Sequence, residues 1–266
     1  MKKIIVFALI GILSLGLFSG CSSDKEDWEY IKDNGKLIIG ITLYEPMNYN
    51  DDNGKLIGFD TEFAEAACAK LGVTPEFQVI DWEQKETELK AKSIDCIWNG
   101  LTVTESRKEN MAFSTSYVSN KQVVIIKKDN ADKYSTLEGM AGASVTAENG
   151  SAGQSAVEGD DVLSKNSFIA SAAQKDVLME IKAGTTEIGV LDYVMARSVI
   201  RDDTDYSDLM IVESIELAPE EYAIGFRLED TETVKKVNNV IDELLTDGTL
   251  VALAEKYGLS DVLVTK

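Results

Sequence analysis

The sequence predicts an α/β protein of two similar lobes with a ligand cleft between them. Short apolar runs alternate with helical patterns, an order that fits neither an all-α nor an all-β chain. A unit of helix, short polar turn, acid, buried strand and polar residue occurs twice, ending once in residues 90–99 and once in residues 182–192. Beyond an N-terminal leader 246 residues remain, enough for one large domain or two lobes with ample core. Each repeat puts a polar group at the carboxyl end of a strand, where open α/β sheets place ligands, and a pocket between lobes is a common site.

Strands are expected at Lys36 to Thr42, Glu76 to Ile80, Ile94 to Trp98, Gln122 to Lys127, Ala143 to Thr146, Glu187 to Leu191, Leu209 to Ser214 and Tyr222 to Arg227. Helices fall between them. Asp60 to Leu71 stops at Gly72, Trp82 to Lys92 follows a short turn, and Ala172 to Ala183 stops at Gly184. Thr231 to Leu245 carries Val234, Val237, Val240, Ile241, Leu244 and Leu245 on one stripe, with Asp230 or Thr231 as its cap.

The first twenty residues are an export signal: basic Lys2 and Lys3, apolar Ile4 to Phe18, then small Ser19 and Gly20 before Cys21. Cysteine after small residues at the cleavage point resembles a bacterial lipoprotein box, with Phe18 where Leu is more usual. The resemblance implies a lipidated Cys21 and a polar tether over residues 21–27. The alternative is an uncleaved anchor, but the apolar run is shorter than the roughly 20 residues that span a bilayer.

Without the leader the chain has 24 basic against 46 acidic side chains. That excludes nucleic acid as a partner, because neutralising phosphates takes a basic face. The sequence has no histidine, so Ser-His-Asp and Cys-His catalysis and His-ligated zinc are ruled out. Cys68 lies in a helical run and Cys96 in a strand, both places for a small apolar residue, so buried free thiols are expected rather than a disulfide or a metal site. No cofactor is implied.

The run Asn99-Gly100-Leu101-Thr102-Val103-Thr104-Glu105-Ser106-Arg107 ends an apolar strand and opens a helix. A helix start offers unpaired backbone N–H groups; here Thr104 can cap the next turn and Arg107 can reach back over the mouth. The Arg fork meets a carboxylate through two parallel charge-assisted bonds. The competing reading is a capped helix with a solvated Arg.

At this point the chain resembles the polar amino acid substrate-binding proteins of ABC importers, bacterial extracellular solute-binding family 3. The resemblance runs from about Gly35 to Gly258 through seven weak motifs in order: residues 54–60, 90–95, Thr102-x-Thr104-x-x-Arg107 with Phe113-Ser114, Gly150-Ser151, Leu191-Asp192, residues 222–227, and Asp247-Gly248-Thr249 with Lys256-Tyr257-Gly258. It implies a type II periplasmic-binding-protein-like fold with two hinge strands. Lobe 1 would be residues 28–119 plus 222–266 and lobe 2 residues 120–221, with crossings near Ser119-Asn120 and Glu220-Glu221.

By the same resemblance Arg107 would pair with the ligand α-carboxylate, helped by backbone N–H groups at Thr102 and at Ala152 beside Ser151. Asp192 would take the α-ammonium, with the Gly100 carbonyl and the Thr102 hydroxyl as further acceptors. Tyr44 and Trp82 fall where the family stacks rings on the ligand side chain. A zwitterion needs one fixed cation, one fixed anion and neutral hydrogen-bonding groups between them, and this set supplies them. Asp192 as a helix N-cap, and Tyr44 and Trp82 as ordinary core or surface aromatics, are the alternatives.

Two departures bear on the ligand. Ile41 stands where dibasic binders carry an acid, and Glu148 occupies a cleft position that is often apolar. Glu148 either meets a cationic ligand side chain or points to water, and Asn99 adds an amide nearby. The expected ligand is therefore a polar or cationic L-amino acid, with glutamine, arginine and cystine-like compounds open. The expected protein is a monomeric, extracytoplasmic, lipid-anchored receptor that serves an ABC permease. The rival classes are a cyclohexadienyl or arogenate dehydratase-like enzyme with Glu148 as general acid, and an amino acid sensor domain.

Overall fold

The computed structural model describes residues 27–265. The expected leader, Cys21 and the tether up to residue 26 lie outside the described residues. The first stretch comprises α1 (Asp27–Asn34), β1 (Lys36–Ile41), β2 (Tyr49–Asn50), β3 (Leu56–Ile57), α2 (Phe59–Leu71), β4 (Thr74–Val79), α3 (Lys85–Lys90), β5 (Cys96–Ile97), α4 (Glu105–Lys108) and β6 (Ala112–Phe113). A middle stretch follows: β7 (Val118–Lys127), β8 (Ser144–Glu148), α5 (Ala152–Gly159), β9 (Ser167–Ser171), α6 (Gln174–Ala183), β10 (Ile188–Asp192), α7 (Tyr193–Val199) and β11 (Leu209–Tyr222). The chain then closes with β12 (Gly225–Phe226), α8 (Thr231–Thr246) and α9 (Thr249–Lys256).

Ten of the strands form two five-stranded sheets that divide the chain as its order suggests, and β2 and β3 pair in a separate antiparallel ribbon. The first runs β4-β1-β5-β12-β6 and takes strands from both ends of the described chain; the second, β11-β7-β10-β8-β9, takes only the middle. In the first, β1 is parallel to β4, with Lys36 opposite Thr74, and to β5, while β12 returns antiparallel. In the second, β8, β9 and β10 are parallel and β7 is antiparallel to β10. The chain therefore passes between lobes on β7 and again on β11, which pair antiparallel as far as Tyr222 opposite Val118. The C-terminal segment lies beside the first crossing, where Ser119 N–H donates to Val262 O and Val264 N–H to Tyr117 O.

Packing follows from the amphipathic elements. The α8 stripe buries Val237, Val240, Ile241 and Leu244, which join Ile31, Leu37, Phe63 and Trp98 in the largest core cluster. Smaller clusters cover the other faces: Val124, Ile126, Val145 and Leu163 in the second lobe, Leu89, Ile94, Ile97 and Leu101 in the first. Cys68 and Cys96 are free and buried in the large cluster, as expected, and burial pushes the Cys68 thiol up to about 12. The helix stops expected at Gly72 and Gly184 are also present, each in the left-handed conformation that lets the last carbonyls be bonded.

Three expectations are corrected. Asp230 does not cap α8: its carboxylate pairs with Arg227 Nε at 2.8 Å, and the cap comes from Asp27, which accepts from the Glu232 and Thr233 N–H groups. The strand expected at Leu209 to Ser214 runs on through Pro219 to Tyr222 as β11, and the strand expected at Tyr222 to Arg227 is present only as the short β12 of the other sheet. Proline is tolerated because β11 is the edge strand, where its missing N–H costs no ladder bond. The sequence reading also placed no strand at β9. Its alternation is weak, with Ser167, Ile169 and Ala170 exposed, and only its pairing with β8 makes it a strand.

Candidate ligand-binding site

The run that follows β5 builds one wall. Gly100 adopts φ +55°, and a Cβ there would lie 2.6 Å from the Tyr44 ring, so only glycine fits. Its N–H donates to Asp60 Oδ2 at 2.7 Å, which the Tyr117 hydroxyl also reaches at 3.0 Å. Burial pushes that Asp60 carboxyl up to about 7. Asn99, expected in the cleft, turns its amide inward: Oδ1 accepts from Thr42 N–H and Asn48 Nδ2, and Nδ2 donates to Thr42 Oγ1. It braces the wall, and the Tyr44 hydroxyl likewise bonds the Tyr222 hydroxyl at 2.6 Å.

The helix that the run opens is a single turn, α4, and its start behaves as the sequence indicates. Thr104 Oγ1 accepts from Arg107 N–H at 3.2 Å, and Arg107 Nη1 reaches back to Thr102 O at 2.8 Å. Arg107 is 7% exposed, so the solvated alternative is excluded. Desolvation holds its guanidinium below its ordinary value, opposed chiefly by Glu220 and then Asp192. Its Nη2 crosses to Gly150 O in the other lobe at 3.2 Å. Lys85 makes the same crossing, with Nζ 3.0 Å from Gly150 O and 3.0 Å from Trp82 O.

Trp82 serves two purposes. Its ring is packed with Ile80, Leu89 and Ile94 in the outer core of the first lobe and carries Lys85 Nζ 4.8 Å from its centroid. It also borders an interlobe cavity of about 470 Å³ with Thr42, Glu83, Asn149, Ser171 and Lys175. A second cavity of about 360 Å³ is bordered by Lys85, Thr104, Arg107, Gly150, Ser151 and Gln154. The cleft thus flanks a closed contact in which two buried cations share one carbonyl.

The second lobe supplies the opposite charge. Asp192 starts α7 but makes no capping bond; Asn120 Oδ1 takes the Val194 N–H instead. This removes the cap reading and frees the carboxylate, whose Oδ1 accepts from Asn120 Nδ2 at 2.7 Å and Gln122 Nε2 at 2.6 Å, while Oδ2 meets Gln174 Nε2. Glu148 ends β8 and is 3% exposed, and among the described residues no hydrogen bond reaches its carboxylate. Burial first, then Asp192, push it up to about 8, against the pull of Lys85 and Arg107. Ser151 caps α5 through Gln154 N–H, leaving the Ala152 N–H as the helix's first open donor.

Lys85 and Glu220 were not singled out in the sequence, although the second hinge crossing was placed at Glu220. A lysine on a polar helix reads as solvated, and Pro219-Glu220-Glu221 reads as an acidic turn. Glu220 Oε1 accepts from Thr102 Oγ1 at 2.9 Å, Asn120 Nδ2 at 2.6 Å and Gln122 Nε2 at 2.9 Å. The Thr102 hydroxyl therefore donates its proton to an acid, which leaves its oxygen lone pairs open to accept.

With this geometry in place, residues 37–260 match the family model of the bacterial extracellular solute-binding proteins, family 3. The chain belongs to this family. Among curated relatives, the L-cystine-binding protein TcyJ of Escherichia coli (strain K12) is 27% identical over 264 residues, 96% of each chain. Among solved structures, an ABC uptake transporter substrate-binding protein from Streptococcus pneumoniae with bound histidine is 30% identical, with a TM-score of 0.83 over 90% of this chain and 98% of that one. The arginine-bound form of a truncated ArgBP from T. maritima is 32% identical, with a TM-score of 0.74 over 81% and 99%. This family 3 chain accordingly has the two-lobed α/β fold of its structural neighbours, and the extracellular family places it outside the cytoplasm.

Proposed function

We propose that this family 3 protein captures a polar or cationic L-amino acid in the cleft and delivers it to an ABC importer permease from a lipid anchor at Cys21. The observation that carries the ligand class is the buried pair of opposite ends. Arg107 stands on the first lobe and Asp192 on the second, each held in place by neighbouring groups. The ligand carboxylate would take the Arg107 fork together with the Thr102 and Ala152 N–H groups, and its ammonium would take Asp192. Glu148, buried and without a hydrogen-bonding partner among the described residues, favours a cationic side chain within that class. The histidine- and arginine-bound relatives point the same way.

Residues 28–119 with 222–266 and residues 120–221 act as the two lobes, turning about Ser119-Asn120 and Glu220-Glu221. Ligand bound to one lobe favours closure only through contacts with the other, here Asp192 and the Ser151-Ala152 backbone. Micromolar affinity is roughly 8 kcal/mol, within reach of one ion pair at each end of a ligand in a dry cleft. Thermal-shift screening against the twenty amino acids, cystine and ornithine tests the reading, since a cleft-closing ligand raises the unfolding temperature. No stabilisation by any of them rejects it.

We read the chain as a receptor and not an enzyme. The enzymatic alternative would use Glu148, raised to about 8 and so able to hold a proton at neutral pH, as general acid. Aromatic product on incubation with prephenate or arogenate would establish that alternative; none is expected.

A further inference from the structure

Asp192 and Glu220 are bracketed by the same two amides. Asn120 Nδ2 lies 2.7 Å from Asp192 Oδ1 and 2.6 Å from Glu220 Oε1, and Gln122 Nε2 lies 2.6 Å and 2.9 Å from the same two oxygens. Neither amide is free to turn. The Val194 N–H fixes Asn120 through its Oδ1, and Gln122 keeps its donors on the acids although its buried Oε1 has no partner among the described residues. Donors from the hinge strand β7 thus hold a carboxyl from β10 and a carboxyl from β11 against each other at the turning point between the lobes.

Two carboxylates this close do not both ionise cheaply, because each raises the cost of charge on the other. The charged and titratable groups around them are Arg107 on α4, the phenols of Tyr44 and Tyr222, and Glu148 on β8. On the solvent side of Glu220, Lys108 and Glu221 border a cavity of about 500 Å³. Lys108 already pairs with Glu105 at 2.7 Å. Among the described residues Arg107 is therefore the one buried guanidinium near the pair, and the proposed function assigns it to the ligand carboxylate. Once it is so engaged, the two acids need another positive group, and the ligand ammonium is the one that arrives with that carboxylate.

We propose that Glu220 is a ligand-site residue: with Asp192 it forms a two-carboxyl receptor that shares one proton before binding and releases it when the ligand –NH3+ takes its place. This rests on the amino acid reading above. The charge balance is simple, since a zwitterion enters, one proton leaves to solvent, and no covalent bond of the ligand changes. Desolvation first and Asp192 second push the Glu220 carboxyl up to about 8, which sets the window in which the proton is there to be lost.

Calorimetry with L-glutamine and with L-arginine tests this in buffers of different ionisation enthalpy. Neither side chain titrates between about pH 6 and 8. With L-glutamine, whose neutral side chain brings no charge to Glu148, the full-length protein should release close to one proton per ligand at about pH 6.5. The affinity for L-glutamine should rise by up to about tenfold per pH unit below about pH 8, the direction that proton release requires. L-Arginine, whose guanidinium the proposed function sets against Glu148, should release one proton more. Glu220→Gln, which imitates the protonated acid in shape, should bind more weakly and release one proton fewer with either ligand, whereas Glu148→Gln should remove only the additional proton seen with L-arginine. Binding without proton release in the wild type overturns the inference and leaves the proposed function standing. So does release that Glu220→Gln leaves unchanged. Absence of heat from every amino acid tried overturns the proposed function and this inference together.

Discussion

The two lobes approach the cleft with opposite charges and different means of support. The first presents cations, Arg107 and Lys85, whose nitrogens rest on backbone carbonyls of Thr102, Trp82 and Gly150. The second presents carboxyls, Glu148 and Asp192, with Glu220 at the crossing, and the last two are held by side-chain amides of Asn120, Gln122 and Gln174. A backbone carbonyl accepts at any pH, and Thr102 O and Trp82 O hold Arg107 and Lys85 from within the first lobe, while Gly150 O reaches both from the second. Carboxyls crowded together in a dry cleft depend on protonation and on the hinge strands that supply their donors. The contrast assigns anchoring to the first lobe and conditional closure to the second.

Removing the anchor should have the largest effect. Arg107→Ala is expected to weaken amino acid binding by at least about a hundredfold in calorimetry, because a buried charge pair is lost at the ligand carboxylate. The unfolding temperature without ligand should barely move, since the variant also removes the cost of burying a guanidinium. Micromolar binding by this variant would break the comparison at its first term.

Asp192→Asn addresses the conditional side. Binding should fall by about tenfold to a hundredfold, and the compaction on ligand addition seen by solution scattering should shrink. Full compaction would take Asp192 out of the closing contacts.

Lys85→Met sharpens the boundary between the two roles. Gly150 O would keep Arg107 and lose its second donor, so a decrease in affinity of about tenfold or less is expected, with a larger radius of gyration for the ligand-free protein. An unchanged radius would show that the Lys85 contact does not favour closure. Desolvation, with Arg107 second, lowers the Lys85 ammonium to about 8, so its contribution should fade above that pH.

The smallest effect concerns stability without ligand. Burial raises Glu148 and Glu220 to about 8. For a carboxyl whose folded pKa lies above its unfolded value, the stabilising contribution is complete below the unfolded pKa and is lost as pH rises through the folded one. The ligand-free protein should therefore lose stability between about pH 5 and 8, read as a melting temperature that falls over that interval. Glu148→Gln should flatten that fall. A melting temperature that climbs over this interval would contradict the protonated-acid account of the second lobe.

Local signals in the sequence were reliable where one short segment decides the outcome. The glycine stops of α2 and α6, the Thr104 cap and the reach of Arg107 to Thr102 each involve residues within a few positions of one another. The stripe on α8 was equally legible, but its cap was not: Asp27 lies some two hundred positions away, and the nearer Asp230 is taken by Arg227. The β9 and β11 errors have the same origin, since edge pairing to a distant strand decides both.

The site divides along that line. Charge composition, the missing imidazole, the alternating elements and the motif order determined an α/β binding protein, because those properties are carried by residue type and short spacing, and the family resemblance pointed to Arg107 and Asp192 as the poles of its proposed site. Only the tertiary structure decided which polar groups face one another. It turned Asn99 inward, brought Lys85 and Arg107 to a single carbonyl, and set Glu220 beside Asp192 between two amides. The physical reason is that burial and charge proximity are properties of space: Asp192 and Glu220 become a pair only when β7 and β11 bring the second crossing back beside the first.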